Sequence, residues 1–266
     1  MKKTILITGS TDGIGKRAAV LLAQAGHTVY LHGRNPQKLQ QAILDVEKES
    51  GQTGLQGWQA DLSDFSAVRR LGATIKQEIK DLDVLINNAG VFKGPAQNAD
   101  GLDLRMVVNY LAPIMLTQDL LPLLKKSQRG RIINLSSAAQ DPMERSVLSG
   151  EKTISERQAY GQSKLALTAW SFRLAQQEPG LVVIPVNPGS LLNTKMVQEA
   201  FGQFWASADK GAQILFDLAV DSKYVSSSGQ YFDNDRGSFG PAHPAASDKT
   251  TVDTWLQWTA DVLAGR

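Results

Sequence analysis

Short apolar runs recur along this chain at Thr4–Thr8, Thr28–Leu31, Leu55–Ala60, Val84–Asn87, Arg131–Leu135, Val182–Val186 and Gln230–Phe232. Runs such as Ile5-Leu6-Ile7 and Val182-Val183-Ile184 do not alternate apolar with polar residues. A strand with one wet face must alternate, whereas a strand covered on both faces need not, so these runs read as parallel strands between two layers of helix. The stretches between them, Lys16–Ala25, Pro36–Ser50, Phe65–Ile79, Leu104–Lys126 and Gln158–Gln177, are long enough for crossover helices. The pattern predicts an α/β fold: one doubly wound Rossmann-type domain over 1–266 with a mostly parallel seven-stranded sheet. No internal repeat, low-complexity tract or Pro/Gly/Ser linker divides the chain.

The 28 basic and 26 acidic side chains nearly cancel, and no long run of either sign forms a footprint for nucleic acid or anionic lipid. Neither partner is expected. There is no cysteine, hence no disulfide and no thiolate metal site, and the cytoplasm is the expected compartment. The opening Met1–Ile7 resembles the head of a signal peptide, but its apolar run stops at Thr8-Gly9, short of the roughly 7–15 residues required. Val107–Leu124 is the most apolar long stretch, yet Asn109, Gln118 and Asp119 interrupt it, and a bilayer span needs about 20 mostly apolar residues. It reads as a buried helix, and no membrane partner is expected.

The first strand runs into Thr8-Gly9-Ser10-Thr11-Asp12-Gly13-Ile14-Gly15, after which Lys16–Ala23 has helical periodicity. A tight glycine turn lets backbone approach a pyrophosphate, whose charge meets the free N–H groups and positive dipole end of the helix. By itself such a turn is equally compatible with binding nothing. Its Gly-x3-Gly-x-Gly spacing differs from the G-x-G-x-x-G fingerprint. Taken with Asn87-Asn88-Ala89-Gly90 after the fourth strand and Tyr160-x3-Lys164 further on, it closely resembles the short-chain dehydrogenase/reductase family, in that family's motif order and over nearly the whole chain.

The resemblance assigns Gly9, Ser10, Thr11, Asp12, Gly13, Ile14 and Gly15 to a nicotinamide cofactor. After the second strand, His32-Gly33-Arg34-Asn35 lacks the acid with which NAD enzymes usually hold the ribose hydroxyls. Arg34 suits charge-assisted hydrogen bonds to a 2′-phosphate, so NADP(H) is the expected cofactor, with Asn35 beside it. Asp61-Leu62 resembles the pair that lies against adenine, although Asp61 also suits capping of the next helix. Asn87 and Asn88 are implied to tie neighbouring strands, while Asn88, Ala89 and Gly90 border the ribose. Pro188, Gly189 and Thr194 resemble the segment that carries the nicotinamide.

Tyr160 and Lys164 lie four apart in the helical segment Arg157–Ala175, so both leave one face a turn apart. A free tyrosine titrates near 10, too high for an efficient base at neutral pH, and positive charge from Lys164 and from oxidised nicotinamide is expected to favour its phenolate. Tyr160 is the expected proton donor and acceptor. The resemblance names Ser137, rather than Ser136, as the residue bonding the substrate oxygen. It assigns Asn109 a water linking Lys164 to solvent, where a plain reading of the residue makes it a satisfied buried amide. His27, His32 and His243 fit no ligand or triad spacing, and no metal is expected.

The resemblance extends to the branch containing retinol dehydrogenases, through Arg34, the long Ser137–Tyr160 link and Gly229-Gln230-Tyr231-Phe232…Trp255-Leu256-Gln257-Trp258. Expected substrate loops are 138–157, with Pro142, Met143, Glu144 and Arg145, and 190–207, with Leu191, Leu192, Met196, Phe201, Phe204 and Trp205. These suit a small apolar carbonyl or alcohol. The resemblance implies a possible homodimer or homotetramer through helices at Leu104–Lys126 and Gln158–Gln177. A non-catalytic NADP-binding sensor would often lack the tyrosine or lysine present here. A dehydratase or epimerase with the same Tyr/Lys pair usually has different glycine spacing and a larger C-terminal domain.

Overall fold

All the expected strands form in the computed structural model, which describes residues 1–264 apart from the Phe201 side chain. They are β1 (Thr4–Ile7), β2 (Thr28–Gly33), β3 (Gln56–Gln59), β4 (Val84–Asn87), β5 (Arg131–Leu135), β6 (Val182–Asn187) and, after a small two-stranded pair β7 (Leu192–Asn193) and β8 (Ala206–Ser207), β9 (Tyr231–Asp233). With β10 (Ser238–Gly240) at its edge, the main sheet has the order β10-β9-β6-β5-β4-β1-β2-β3. It therefore has eight strands rather than the expected seven: β10 folds back antiparallel on β9, pairing Phe239 with Phe232. Ser-Phe-Gly is too short and too polar to show a period.

Within each central strand, neighbouring residues feed opposite layers. Ile5, Ile7, Val84 and Ile86 join one apolar cluster, with α1 (Gly13–Gln24), α2 (Pro36–Ser50) and later α7 (Ala208–Val220). Leu6, Leu85, Ile132 and Val183 join the other, with α3 (Phe65–Glu78), α4 (Leu104–Leu124) and α5 (Glu156–Gln177). This two-sided burial is why the runs do not alternate.

Local chemistry sets the helix boundaries. Asn35 Oδ1 accepts the Lys38 N–H (2.9 Å) ahead of Pro36, and Gly51 closes α2 in the left-handed region at φ 75°. A reciprocal Ser155/Gln158 box opens α5. Among the described residues α4 alone is long and apolar enough to span a membrane, and it is mostly buried inside the protein. Its Val107–Leu111 turn is π-helical.

The chain order reverses between β1 and β4, so the loops after β1, β2, β4, β5 and β6 open a crevice at the strands' carboxyl ends. Beyond α6 (Lys195–Phe201) and α7, α8 (Lys249–Ala264) packs against α5. Trp255 is buried there, and the Tyr110 hydroxyl meets Thr259 Oγ1 at 2.8 Å. Every residue from Gly161 to Ser171 of α5 is buried within this one chain.

Candidate active site

The glycine turn is fixed by how closely backbone meets backbone. Gly9 has φ 63°, and a Cβ there would stand 2.7 Å from Ala89 Cα; one at Gly15 would stand 2.4 Å from Asn88 Nδ2. Asn88 Nδ2 donates to the Thr8 and Gly9 carbonyls (2.9 Å each), and Thr8 Oγ1 accepts the Asn88 and Ala89 N–H groups (3.1 Å each). The tie between β1 and β4 is therefore as expected. Thr11, Asp12, Gly13 and Ile14 line a cleft of about 800 Å³. Gly15 is buried behind them, and so is Ser10, whose hydroxyl donates to the Ile7 carbonyl and accepts the His32 N–H. Asp12 accepts the Gly13 N–H at 2.7 Å and so caps α1.

At one end of the cleft stand Arg34, Asn35, Asp61 and Leu62, joined by Lys38, which the sequence did not single out. Asn35 gives its side-chain oxygen to the cap of α2. Asp61 Oδ1 accepts the Ser63 N–H (2.9 Å) and hydroxyl (2.8 Å), whereas Asp64 caps α3, which corrects the alternative given for Asp61. His32 was also missed. It is buried at the cleft, its Nδ1 accepts the Gly9 N–H (3.1 Å), and burial pushes its pKa down to about 4. The neutral ring therefore carries its proton on Nε2, which is buried away from solvent.

At the other end Ser137, Tyr160 and Lys164 meet beside Ala89 and Gly90. Lys164 is buried; its Nζ donates to the Leu135 carbonyl (2.7 Å) and lies 5.5 Å from the centroid of the Tyr160 ring. Burial drives the Tyr160 phenol above its ordinary pKa, with a Ser137 hydrogen bond opposing, and the same burial drives Lys164 down to about 7. In each case burial disfavours the charged form. Ser136 is spent on Thr168 Oγ1 (2.6 Å) and the Lys164 carbonyl. Ser137 is held from behind by the Tyr231 hydroxyl, which donates to its carbonyl (3.0 Å). The Phe92 ring packs 5.1 Å from that of Tyr160.

Asn109 is fully buried in the π-helical turn. Its Oδ1 accepts the Val91 N–H (2.8 Å), and its Nδ2 donates to the Val91 carbonyl (3.0 Å) and Ser163 Oγ (3.1 Å). Both donors are used within the protein, as in the plain reading. A water relay would have to use the second lone pair of Oδ1 or the backbone carbonyl.

The third side is the Asn187–Thr194 segment. Thr194 caps α6, and its methyl would lie 3.4 Å from a Cβ built on Gly13, which sets the segment across the glycine turn. Pro188, Gly189, Leu192, Thr194 and Met196 line the cleft. Phe204 and Trp205 face outward, 50% and 73% exposed, and the Phe201 side chain lies outside the described residues. Of the 138–157 stretch, Met143, Val147 and Leu148 are buried in the core on the α5 side, and none of its residues borders the cleft.

A family model described as short chain dehydrogenase matches residues 3–203. Retinol dehydrogenase 12 of Mus musculus is 32% identical over 95% of this chain and 84% of its own length. Retinol dehydrogenase 13 of Homo sapiens is 30% identical over 96% and 83%. Among solved structures, a short chain dehydrogenase from Shigella flexneri 2a str. 301 complexed with NADP is 31% identical, with a TM-score of 0.73 over 88% of this chain and 97% of that one. One from Escherichia coli CFT073 complexed with NADPH has 31% identity and a TM-score of 0.73 over 87% and 96%.

Proposed function

Since this chain belongs to the short-chain dehydrogenase family and is an oxidoreductase of CH–OH or C=O groups, we propose that it uses NADP(H) to reduce or form a carbonyl on a small, largely apolar substrate. The observation that carries this reading is the polarity of one cleft: Ser137, Tyr160 and Lys164 converge at one end, Arg34 and Lys38 stand at the other. The residues fit such a cofactor. A Cβ at Gly90 would lie 3.5 Å from Lys164 Nζ and 3.3 Å from Asn109 Oδ1, so glycine there leaves open the space a ribose needs in front of the ammonium.

Gly9, Thr11, Gly13 and Ile14 would hold the diphosphate on the α1 N-terminus, Arg34 and Lys38 the 2′-phosphate, and Lys164 the nicotinamide ribose. The bound nicotinamide supplies or takes the hydride. Tyr160 gives its proton to the substrate oxygen during reduction and recovers one in the reverse direction. A phenol is protonated at neutral pH, and burial favours that form further, so it is ready as the acid. Ser137, bonded to the same phenol, orients the substrate oxygen, and Lys164 faces the pair from the floor. Leu192 and Met196 give the reacting end an apolar wall. We propose a cytoplasmic enzyme; among the described residues the one helix long and apolar enough to span a membrane is mostly buried inside the fold.

NADPH fluorescence followed across a panel of aldehydes, ketones and quinones tests the reading; absence of both binding and oxidation overturns it. Cofactor choice has a sharper test. One good Arg34–phosphate contact is worth roughly a 10- to 150-fold preference for NADP over NAD. Because Arg34 is exposed, screening lowers this to a few-fold as salt rises. Arg34→Ala is expected to weaken NADP binding and leave NAD binding unchanged at one fixed salt concentration. Equal weakening of both would make Arg34 a structural residue.

A further inference from the structure

The Asn187–Leu192 segment crosses from the end of β6 to the cleft by an unusual path. Gly189 has φ 121°, and Leu191, at φ 47°, is the only non-glycine residue with positive φ among the described residues. A branched, non-glycine residue rarely adopts that conformation unless its surroundings impose it. The surroundings are supplied from far along the chain, by the tight Asp233–Arg236 turn that joins β9 to β10.

Asn234 is buried and its Nδ2 donates to the Pro188 carbonyl (2.8 Å) and the Lys210 carbonyl (3.2 Å), while its own N–H meets the Asn187 carbonyl (3.0 Å). One residue on, Asp235 takes the Ser190 N–H on Oδ1 (2.8 Å) and the Ser190 hydroxyl on Oδ2 (2.5 Å), with Asn187 Nδ2 at 2.9 Å from Oδ2. The turn is thus gripped at Pro188 and at Ser190, on both sides of Gly189. Beyond the second grip, Leu191 accepts the Trp205 N–H (2.9 Å), and the next residues into the cleft are Leu192 and Thr194.

We propose that Asn234 and Asp235 are positioning residues for the nicotinamide end of the cleft, holding the Pro188–Leu191 turn in the path that delivers Leu192 and Thr194 to the site. The inference rests on the NADP(H) reading above. Neither residue borders the adenosine end, where Arg34, Lys38, Asp61 and His32 stand. Loosening the brace therefore has a signature that general loss of structure lacks: one half of the cofactor loses affinity and the other does not.

The experiment titrates wild type and Asp235→Ala with two ligands, NADPH and adenosine 2′,5′-bisphosphate, the second of which has no nicotinamide. Asp235 is exposed, so its removal leaves no buried charge. The variant is expected to bind NADPH roughly tenfold more weakly, the value of one charge-assisted hydrogen bond, and the bisphosphate within about twofold of wild type. The fluorescence gain of bound NADPH should fall with it. Equal weakening of both ligands, or of neither, overturns the assignment. Should Asp235→Ala fail to fold, Ser190→Ala removes only the hydroxyl donor to the same carboxylate; a smaller loss confined to NADPH supports the brace, and an equal or absent loss overturns it. Wild type that binds neither ligand would instead remove the NADP(H) reading.

Discussion

Tyr160→Phe is expected to keep NADPH binding and to lose turnover by about 10²–10⁴ or more, the contribution of a positioned acid–base group. The substitution removes one oxygen and keeps the ring that packs against Phe92 and the buried face of α5, so the fold and the cleft should survive. The phenol stands beside Ser137 and is protonated at neutral pH, a state that burial favours further. Lys164 is assigned to the ribose and to the Leu135 carbonyl rather than to the substrate oxygen. Steady-state oxidation of NADPH with the best substrate of the panel, alongside a binding titration, separates the two effects. Turnover near that of wild type would remove Tyr160 from the mechanism; equal loss of binding would make it a wall of the cleft instead.

Asp103→Ala is expected to destabilise the fold by about 3–5 kcal/mol, as breaking one partner of a buried ion pair does. Arg105 is 1% exposed and Asp103 4%. The carboxylate takes Nε (2.9 Å) and Nη2 (2.8 Å) of Arg105 together with the Arg105 backbone N–H (2.8 Å), so one substitution removes both the counter-charge and the cap of α4. Arg105 would then keep the Ala96 carbonyl and Glu156, 3.7 Å from Nη1. Against a total stability of roughly 5–15 kcal/mol this is a large share. Urea unfolding followed by circular dichroism measures it. A loss under about 1 kcal/mol would mean that water reaches the pair.

The sheet was legible because physics wrote it locally: a strand buried on both faces needs Ile5, Leu6 and Ile7 all apolar, whichever layer each one feeds. Tyr160 and Lys164 were legible because they stand with the glycine turn and Asn87-Asn88-Ala89-Gly90 in the order of a known family; their spacing of four, which puts both on one helix face, would alone fit any exposed helix. What stayed hidden depends on distance or on solvation. Nothing in Ser238-Phe239-Gly240 announces a strand until Phe232 is beside it, and no local signal marks a π-helical turn at Val107–Leu111. The partnership of Asp235 with Ser190 joins positions 45 apart in sequence. His32 looked incidental because its role needs the Gly9 N–H, supplied by the neighbouring strand. The length of the 138–157 link suggested a substrate loop, yet Met143, Val147 and Leu148 bury themselves in the core, a choice that sequence length does not reveal. The burial that acts on Tyr160 and Lys164 was hidden for a similar reason: charge can be counted in a sequence, and desolvation cannot.

The C-terminal helix α8 bears on how the protein is made. The apolar outer flank of α5, with Trp170 and Leu174, and the Tyr110 hydroxyl of α4 find their cover in α8, where Trp255, Val252 and Thr259 close over them. A ribosome synthesises everything α8 covers before it synthesises α8. During translation the complete sheet and its crossovers therefore exist for a time with a greasy flank open to the cell, the kind of surface on which nascent chains stick to one another or recruit chaperones. Stalling synthesis just before Lys249 should yield a chain that aggregates or is held by chaperones, and release of the remaining residues should end that vulnerability.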